Sequence, residues 1–210
     1  GEVTFTQGKA TFTTIIESSG SKVLKVEELE TQTSETQTIQ VNPGEFAGFT
    51  INAPAFATMD NRVDVTITAE DAYGNRLTDY STRIELSPTS EEYSWFIDGT
   101  EQTFVDMVST DNGEVTVEFL ASVAGSVQIT ATDVATSDST STTIEVRAST
   151  FTINRQNAFV GDSVTVRGTY YEPGTQITQV GLGSRNVNIN DFTVGQSGNF
   201  TFAFTVPSIS

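Results

Sequence analysis

The apolar residues of this chain recur at every second position. Val63-Asp-Val65-Thr-Ile67-Thr-Ala69, Val115-Thr-Val117-Glu-Phe119 and Val127-Gln-Ile129-Thr-Ala131 show the pattern, as do Val164-Thr-Val166 and Phe200-Thr-Phe202-Ala-Phe204. Shorter pieces, Val3-Thr-Phe5 and Ala10-Thr-Phe12, share it. A period of two buries one face of a strand and wets the other. Thr, Val, Ile and Phe, which suit a pleated and half-buried surface, fill these runs. Gly, Asn, Asp and Ser interrupt them at short intervals, and no stretch has the 3.6-residue period of an amphipathic helix. The pattern predicts an all-β protein built of tandem antiparallel β-sandwiches of immunoglobulin type.

Two segments repeat. Gly1-Glu-Val-Thr-Phe5 followed by Ser19-Gly-Ser-Lys-Val-Leu-Lys-Val26 parallels Gly113-Glu-Val-Thr-Val117 followed by Ala124-Gly-Ser-Val-Gln-Ile-Thr-Ala131. The separation is close to one sandwich domain, about 100 residues. Three units are expected: closing strands of one sandwich over 1–40, a complete sandwich over 41–147, and the opening strands of another over 148–210. The Thr-rich tract Thr31–Thr38 reads either as a last strand or as a linker. In the third unit Tyr171-Glu-Pro-Gly174 predicts a tight reversal, with Pro presetting φ.

Ala69-Glu-Asp-Ala-Tyr-Gly-Asn75 with Thr78-Asp-Tyr-Ser81, and Ala124-Gly-Ser-Val-Gln-Ile-Thr-Ala-Thr-Asp133, resemble bacterial and archaeal immunoglobulin-like repeats of large cell-surface proteins of S-layer or adhesin type. Tyr171-Glu-Pro-Gly174 makes residues 151–206 similar to a related module. The resemblance implies an extracellular, cell-surface location and a structural role.

Composition removes several chemistries. The chain has 27 acids against 10 bases, a net charge of −17, and neither His nor Cys. That field repels phosphate backbones, so no nucleic-acid partner is expected. Without His or Cys there is no Ser-His-Asp triad, no Cys-His dyad and no Cys/His zinc site. No run approaches the ~20 apolar residues of a spanning helix. All three lysines (Lys9, Lys22, Lys25) precede residue 26, so a Lys–Asn isopeptide crosslink is excluded from the middle and last units.

The remaining candidates are carboxylates and aromatics. In Thr68–Ser81, Asp71, Asn75 and Asp79 surround Gly74. They read as a turn closed by the Asp71 side chain, with calcium ligation as the alternative; the alternating acids of an EF-type loop are missing. Asp133 and Asp138, with Asp162 beyond the next boundary, are candidates for an ion shared at a domain junction, against a solvated hairpin loop. Glu27-Glu28 and Glu91-Glu92 are adjacent pairs whose side chains point to opposite faces of a strand, which does not suit paired acid–base catalysis. No enzymatic activity is expected. Tyr93-Ser-Trp95-Phe-Ile97 reads as a core stripe, with a platform for glycan rings at Tyr93 and Trp95 as the alternative. Asn199-Phe-Thr201 is a glycosylation sequon, and the Ser/Thr tracts 31–38 and 136–143 offer O-glycan acceptors.

The expected function is a structural segment of a surface protein, an S-layer or sheath component whose partner is itself or a neighbouring surface protein. A stalk of an adhesin is the alternative, and an accessory carbohydrate-binding or linker module of a secreted hydrolase comes after it.

Overall fold

The computed structural model describes residues 3, 6–28, 30–183 and 185–208. Its strands form three successive units. The first is a hairpin of β1 (Gly20–Glu27) and β2 (Ser34–Val41). Thr31–Thr38 is thus divided: Thr31–Thr33 is loop and Ser34–Thr38 belongs to β2.

The middle unit begins with β3 (Phe46–Asn52), β4 (Phe56–Thr58), β5 (Val63–Asp71) and β6 (Thr82–Ser87). It continues with β7 (Tyr93–Ile97), β8 (Thr100–Glu101) and β9 (Phe104–Met107), and ends with β10 (Glu114–Ala121), β11 (Gly125–Asp133) and β12 (Ser139–Arg147). One sheet has the order β3-β5-β10-β7-β8 and the other β4-β12-β11-β6-β9. All pairings are antiparallel except β4 on β12, where Ala57 faces Val146 in parallel register. The fold is an all-β sandwich of immunoglobulin type. Between the sheets lie Trp95, Phe119, Ile67, Ile84, Ile129 and Ile144, each at most 1% exposed. They come from the period-two positions of β5, β6, β7, β10, β11 and β12. Burial of such side chains contributes about 1.5–3 kcal/mol each.

Asn112 and Gly113 both take positive φ, at 53° and 71°, and deliver the chain into β10. A Cβ on Gly113 would stand 2.1 Å from the carbonyl oxygen of Leu77, so only glycine fits this approach.

The third unit consists of β13 (Thr150–Ile153), β14 (Ser163–Thr169), β15 (Gln176–Leu182), β16 (Arg185–Thr193) and β17 (Phe200–Thr205). They form a sheet ordered β13-β14-β17 and a separate β15-β16 ribbon. Pro173 and Gly174 make the expected reversal. Gly174 has φ +90°, and Thr175 N–H donates to Glu172 O at 3.1 Å, the pattern of a type II turn.

Two expectations in the first unit fare differently. Gly1–Phe5 lies largely outside the described residues. Ala10-Thr-Phe12 forms no strand, and Phe12 is 51% exposed. Alternation alone does not make a strand: among the described residues, 10–17 have no neighbouring strand to take their backbone hydrogen bonds.

Candidate functional site

The repeat is visible in three dimensions. In the first hairpin Gly20 pairs with Val41 and Glu27 with Ser34. In the second Gly125 pairs with Val146 and Thr132 with Ser139. Adding 105 to each number of the first hairpin gives the second. The loops match as well. Glu28 N–H donates to Thr33 O at 2.8 Å, and Asp133 N–H to Asp138 O at 2.8 Å. Gln32 N–H donates to Glu28 O at 2.9 Å, and Ser137 N–H to Asp133 O at 2.8 Å. Gln32 and Ser137 both sit in the left-handed region, at φ 56° and 66°. One hairpin design therefore occurs twice, 105 residues apart.

The loop carboxylate differs between the copies. Asp133 is fully buried. Its Oδ1 accepts from Ala135 N–H (2.6 Å), Thr82 Oγ1–H (2.9 Å) and Thr136 N–H (3.1 Å), and its Oδ2 accepts from Tyr80 O–H (2.5 Å). Burial pushes the carboxyl pKa up, but the hydrogen bonds from Tyr80, Thr136, Thr82 and Ala135 outweigh it and hold the group below its ordinary value. Tyr80 shifts the other way, raised by burial and then by the bond and charge of Asp133. Its ring stacks on Phe46 with centroids 4.3 Å apart. In the first hairpin Glu28 takes the equivalent place. It is solvent-exposed and accepts from the hydroxyls of Thr31 and Thr33, which lower its pKa. Asp138 lies in the same loop as Asp133, while its backbone N–H bonds Thr136 Oγ1. Asp162 belongs to the third unit and pairs there with Arg155 at 3.1 Å.

Asp71 closes the β5 turn. Its Oδ1 accepts from the backbone N–H of Tyr73 and of Asn75, both at 2.9 Å. Its Oδ2 accepts from Gly44 N–H at 2.7 Å and from Asn75 Nδ2–H at 2.9 Å. The Gly44 bond leads in holding this carboxyl well below the usual carboxylate range; burial opposes it, and the Asn75 and Tyr73 donors reinforce it. Asn75 also reaches across to the first unit. Its Nδ2–H donates to Glu17 O at 2.7 Å and its Oδ1 accepts from Ser19 N–H at 2.8 Å. The opposite amide orientation would set its oxygen against a carboxylate and a carbonyl. The pole that carries Asp71 and Asn75 is thus a tie between units, with the carboxylate oxygens already engaged by N–H donors. Asp79 has no part in it. Among the described residues no group of three or more His, Cys, Asp or Glu is placed to hold a metal ion.

The opposite pole of the middle unit meets the third unit. Tyr170 O accepts from Ser149 Oγ–H (2.7 Å) and Thr58 Oγ1–H (3.1 Å). The Arg147 guanidinium lies 4.8 Å from the Tyr170 ring and 5.2 Å from the Phe56 ring.

Trp95 is inside the sandwich. Its ring is 4.8 Å from that of Phe119, and its indole N–H donates to Pro88 O at 3.1 Å. A ring 1% exposed offers no face to a sugar. Tyr93 is half-buried and stacks with Phe119, with ring centroids 6.2 Å apart. Glu27 pairs with Lys25 at 2.7 Å on the hairpin, whereas Glu91 and Glu92 are exposed at the entry to β7, so the two acidic pairs lie on different units. Asn199 is exposed in the turn before β17.

The partners of these groups are not legible in the sequence. Nothing local marks Tyr80 and Thr82 as donors to Asp133, or Glu17 and Ser19 as partners of Asn75. The one available signal is the 105-residue offset, which aligns Glu28 with Asp133.

No protein-family model matches the chain, and no curated protein sequence matches it. Among solved structures, domains 4 and 5 of the S-layer protein SbsC share 18% identity over 61% of this chain and 58% of that one, with a TM-score of 0.34. The Escherichia coli adhesin FdeC shares 16% over 90% of this chain and 66% of that one, at 0.35. A family 2 glycosyl hydrolase from Bacteroides cellulosilyticus DSM 14838 shares 14% over 58% of this chain, at 0.41, and the match covers 18% of the hydrolase. Similarity of this degree carries no functional information.

Proposed function

We propose that this chain is a non-catalytic structural segment of a prokaryotic cell-surface protein, a self-associating component of an S-layer or sheath. The observation that carries the reading is the hairpin repeated at 105 residues with the same register and the same loop. Such repetition builds length by stacking one unit on the next. The middle unit is tied at one pole to the first and at the other to the third, so the units run in series. The net charge of −17 keeps a crowded surface array soluble and gives it affinity for cations in general. The acidic pairs Glu27-Glu28 and Glu91-Glu92 sit on separate units, which favours scaffolding over chemistry.

The series arrangement equally suits the stalk of an adhesin, whose binding function resides elsewhere. Immunogold electron microscopy of source cells, with an antibody to residues 41–147, separates the two. A dense and regular label over the whole envelope is the expected result. Sparse label on protruding fibres rejects the sheath reading in favour of the stalk, and absence of surface label rejects both.

A further inference from the structure

The chain enters and leaves the middle unit at opposite poles. It enters beside Asp71: Gly44 N–H donates to Asp71 Oδ2 at 2.7 Å, and Phe46 at the start of β3 pairs with Asp71 at the end of β5. It leaves at Arg147, the last residue of β12, which pairs with Thr58, the last of β4. Strand β5 runs from the Thr58 pole back to Asp71, nine residues or roughly 30 Å of extended chain.

The strands of entry and exit touch each other. Strand β4 lies on β12 in the one parallel pairing of the middle unit, Phe56–Thr58 on Glu145–Arg147. Backbone bonds bracket the pair: Glu145 N–H donates to Ala55 O at 3.2 Å and Met59 N–H to Arg147 O at 2.8 Å. Tension along the chain draws β3 and β4 toward the Asp71 pole and draws β12 out of the Thr58 pole. In a parallel pair those pulls are opposed along the strand axes. The strands must slide past each other, and the bonds between them carry the load together. An antiparallel pair pulled apart from one end opens one bond at a time instead. Strand β3 is likewise drawn along its own axis past β5, so neither terminal strand can be peeled.

One residue of the third unit spans this pair. Tyr170 O accepts from the hydroxyl of Thr58, on β4, at 3.1 Å. The Tyr170 ring lies 4.8 Å from the guanidinium of Arg147, on β12, and that guanidinium also faces Phe56 of β4 at 5.2 Å. Sliding β4 against β12 therefore breaks the Thr58 bond and the Phe56 contact as well as the ladder. Tyr170 holds φ 62°, a left-handed value that bulky residues take only where their surroundings impose it.

We propose that the middle unit is a tension-bearing element, loaded in shear at β4–β12, and that Tyr170 of the third unit latches that pair. The load path is Thr58, Tyr170, Arg147. The device serves a sheath and a stalk alike, since both carry units in series, and it adds a mechanical function to the structural one.

Single-molecule force spectroscopy of the 210-residue chain tests the proposal. The chain has no cysteine, so introduced ones give unique handles. Asn42→Cys with Ala148→Cys loads the middle unit from entry to exit. Ala124→Cys with Ala148→Cys pulls at one pole only and opens the antiparallel β11–β12 pair from its Gly125–Val146 end. At equal force, unfolding should be at least about tenfold slower in the first geometry, because bonds that fail together raise the barrier that bonds failing singly do not. Equal rates in the two directions overturn the shear reading. In the first geometry, Tyr170→Gly combined with Thr58→Val should speed unfolding about tenfold, the loss of a cation–π contact and a hydrogen bond. Glycine accepts the positive φ, and unchanged Trp95 fluorescence verifies that the middle unit is folded. Tyr170→Gly alone, which leaves the middle unit's sequence intact, should act in the same direction. Tyr170→Phe keeps the ring and the carbonyl and should match the unsubstituted chain. Rates unmoved by Tyr170→Gly with Thr58→Val overturn the latch, as does a Tyr170→Phe chain that unfolds as fast as Tyr170→Gly.

Discussion

Tyr80 donates its phenolic O–H to the buried carboxylate of Asp133 at 2.5 Å, joining the loop before β6 to the end of β11. The two residues are 53 positions apart in sequence, so this bond closes the sandwich at a corner that neither sheet holds by its own ladder. Tyr80→Phe keeps the ring stacked on Phe46 and removes one donor from a charge that water cannot reach. The expected loss is about 1–3 kcal/mol in the unfolding of the middle unit, measured by urea denaturation. An unchanged midpoint would mean that the Thr82, Ala135 and Thr136 donors satisfy Asp133 without it.

Both buried carboxylates give stability a direction in pH. Asp71 and Asp133 have folded-state pKa values below their unfolded ones. Their contribution is fully present above the unfolded value, about 3.9, and is lost as pH falls through the folded value. The melting temperature should therefore hold near neutrality and fall steeply below about pH 4. Tyr80 has the opposite sign. Its folded value is raised, so its contribution is present below about pH 10 and lost as pH rises beyond that. Scanning calorimetry from acid to alkali checks both arms. Tyr80→Phe should flatten the alkaline arm, and Asp71→Asn should flatten the acid one.

The strands were legible because each needs only its own alternation. Val63–Ala69, Val115–Phe119, Val127–Ala131 and Phe200–Phe204 all lie within strands of the fold. Ala10-Thr-Phe12 shows the limit of that signal, since a strand also needs a neighbour and the sequence does not say which runs will be adjacent. The Asp71 turn was legible for a similar reason: Asp, Gly and Asn within five residues specify local hydrogen bonds. The node around Asp133 was not, because Tyr80 and Thr82 reach it through the β6–β11 pairing. The tie from Asn75 to Ser19 spans 56 residues and two units, and no local pattern encodes it.

Trp95 and Phe119 carry the largest buried rings of the middle unit. Trp95→Ala removes an indole from a site that is 1% exposed and strands the Pro88 carbonyl without its donor. A loss of about 3–5 kcal/mol is expected. Chemical denaturation followed by circular dichroism measures it, and a change under 1 kcal/mol, on the scale of ordinary surface substitutions, would remove Trp95 from the core.

Among the glycines of the middle unit, Gly113 has the least room for a side chain. Alanine there would keep φ near +71° at a steric cost and drive its Cβ to within 2.1 Å of the Leu77 carbonyl. The obstacle is backbone, so relief requires moving the β5–β6 connection or the start of β10. Gly113→Ala is expected to destabilise by about 2–4 kcal/mol. Gly74→Ala serves as the control. It shares a positive φ of 78° but meets nothing within 4 Å, and should cost about 1 kcal/mol.

Asn75 serves two structures at once, the Asp71 turn and the tie to the first unit. Within the turn its backbone N–H binds Asp71, and that bond survives Asn75→Ala. Its side chain supplies the bonds to Glu17 and Ser19 and one to Asp71 Oδ2, and the substitution removes all three while the backbone donors of Gly44, Tyr73 and residue 75 still hold Asp71. The middle unit should lose no more than about 1–2 kcal/mol, while the amide of Ser19 loses its only side-chain acceptor and exchanges faster. Hydrogen exchange followed by mass spectrometry reads the two effects separately. The same pole decides the calcium alternative. With the Asp71 oxygens engaged by N–H donors, calcium must displace those bonds to bind, so saturating calcium should leave the melting temperature of the middle unit unchanged. A bound ion at a hundred times its dissociation constant would add about 2.7 kcal/mol. A stabilisation of that size, lost in Asn75→Ala and in Asp71→Asn, would make this pole an ion site rather than a tie.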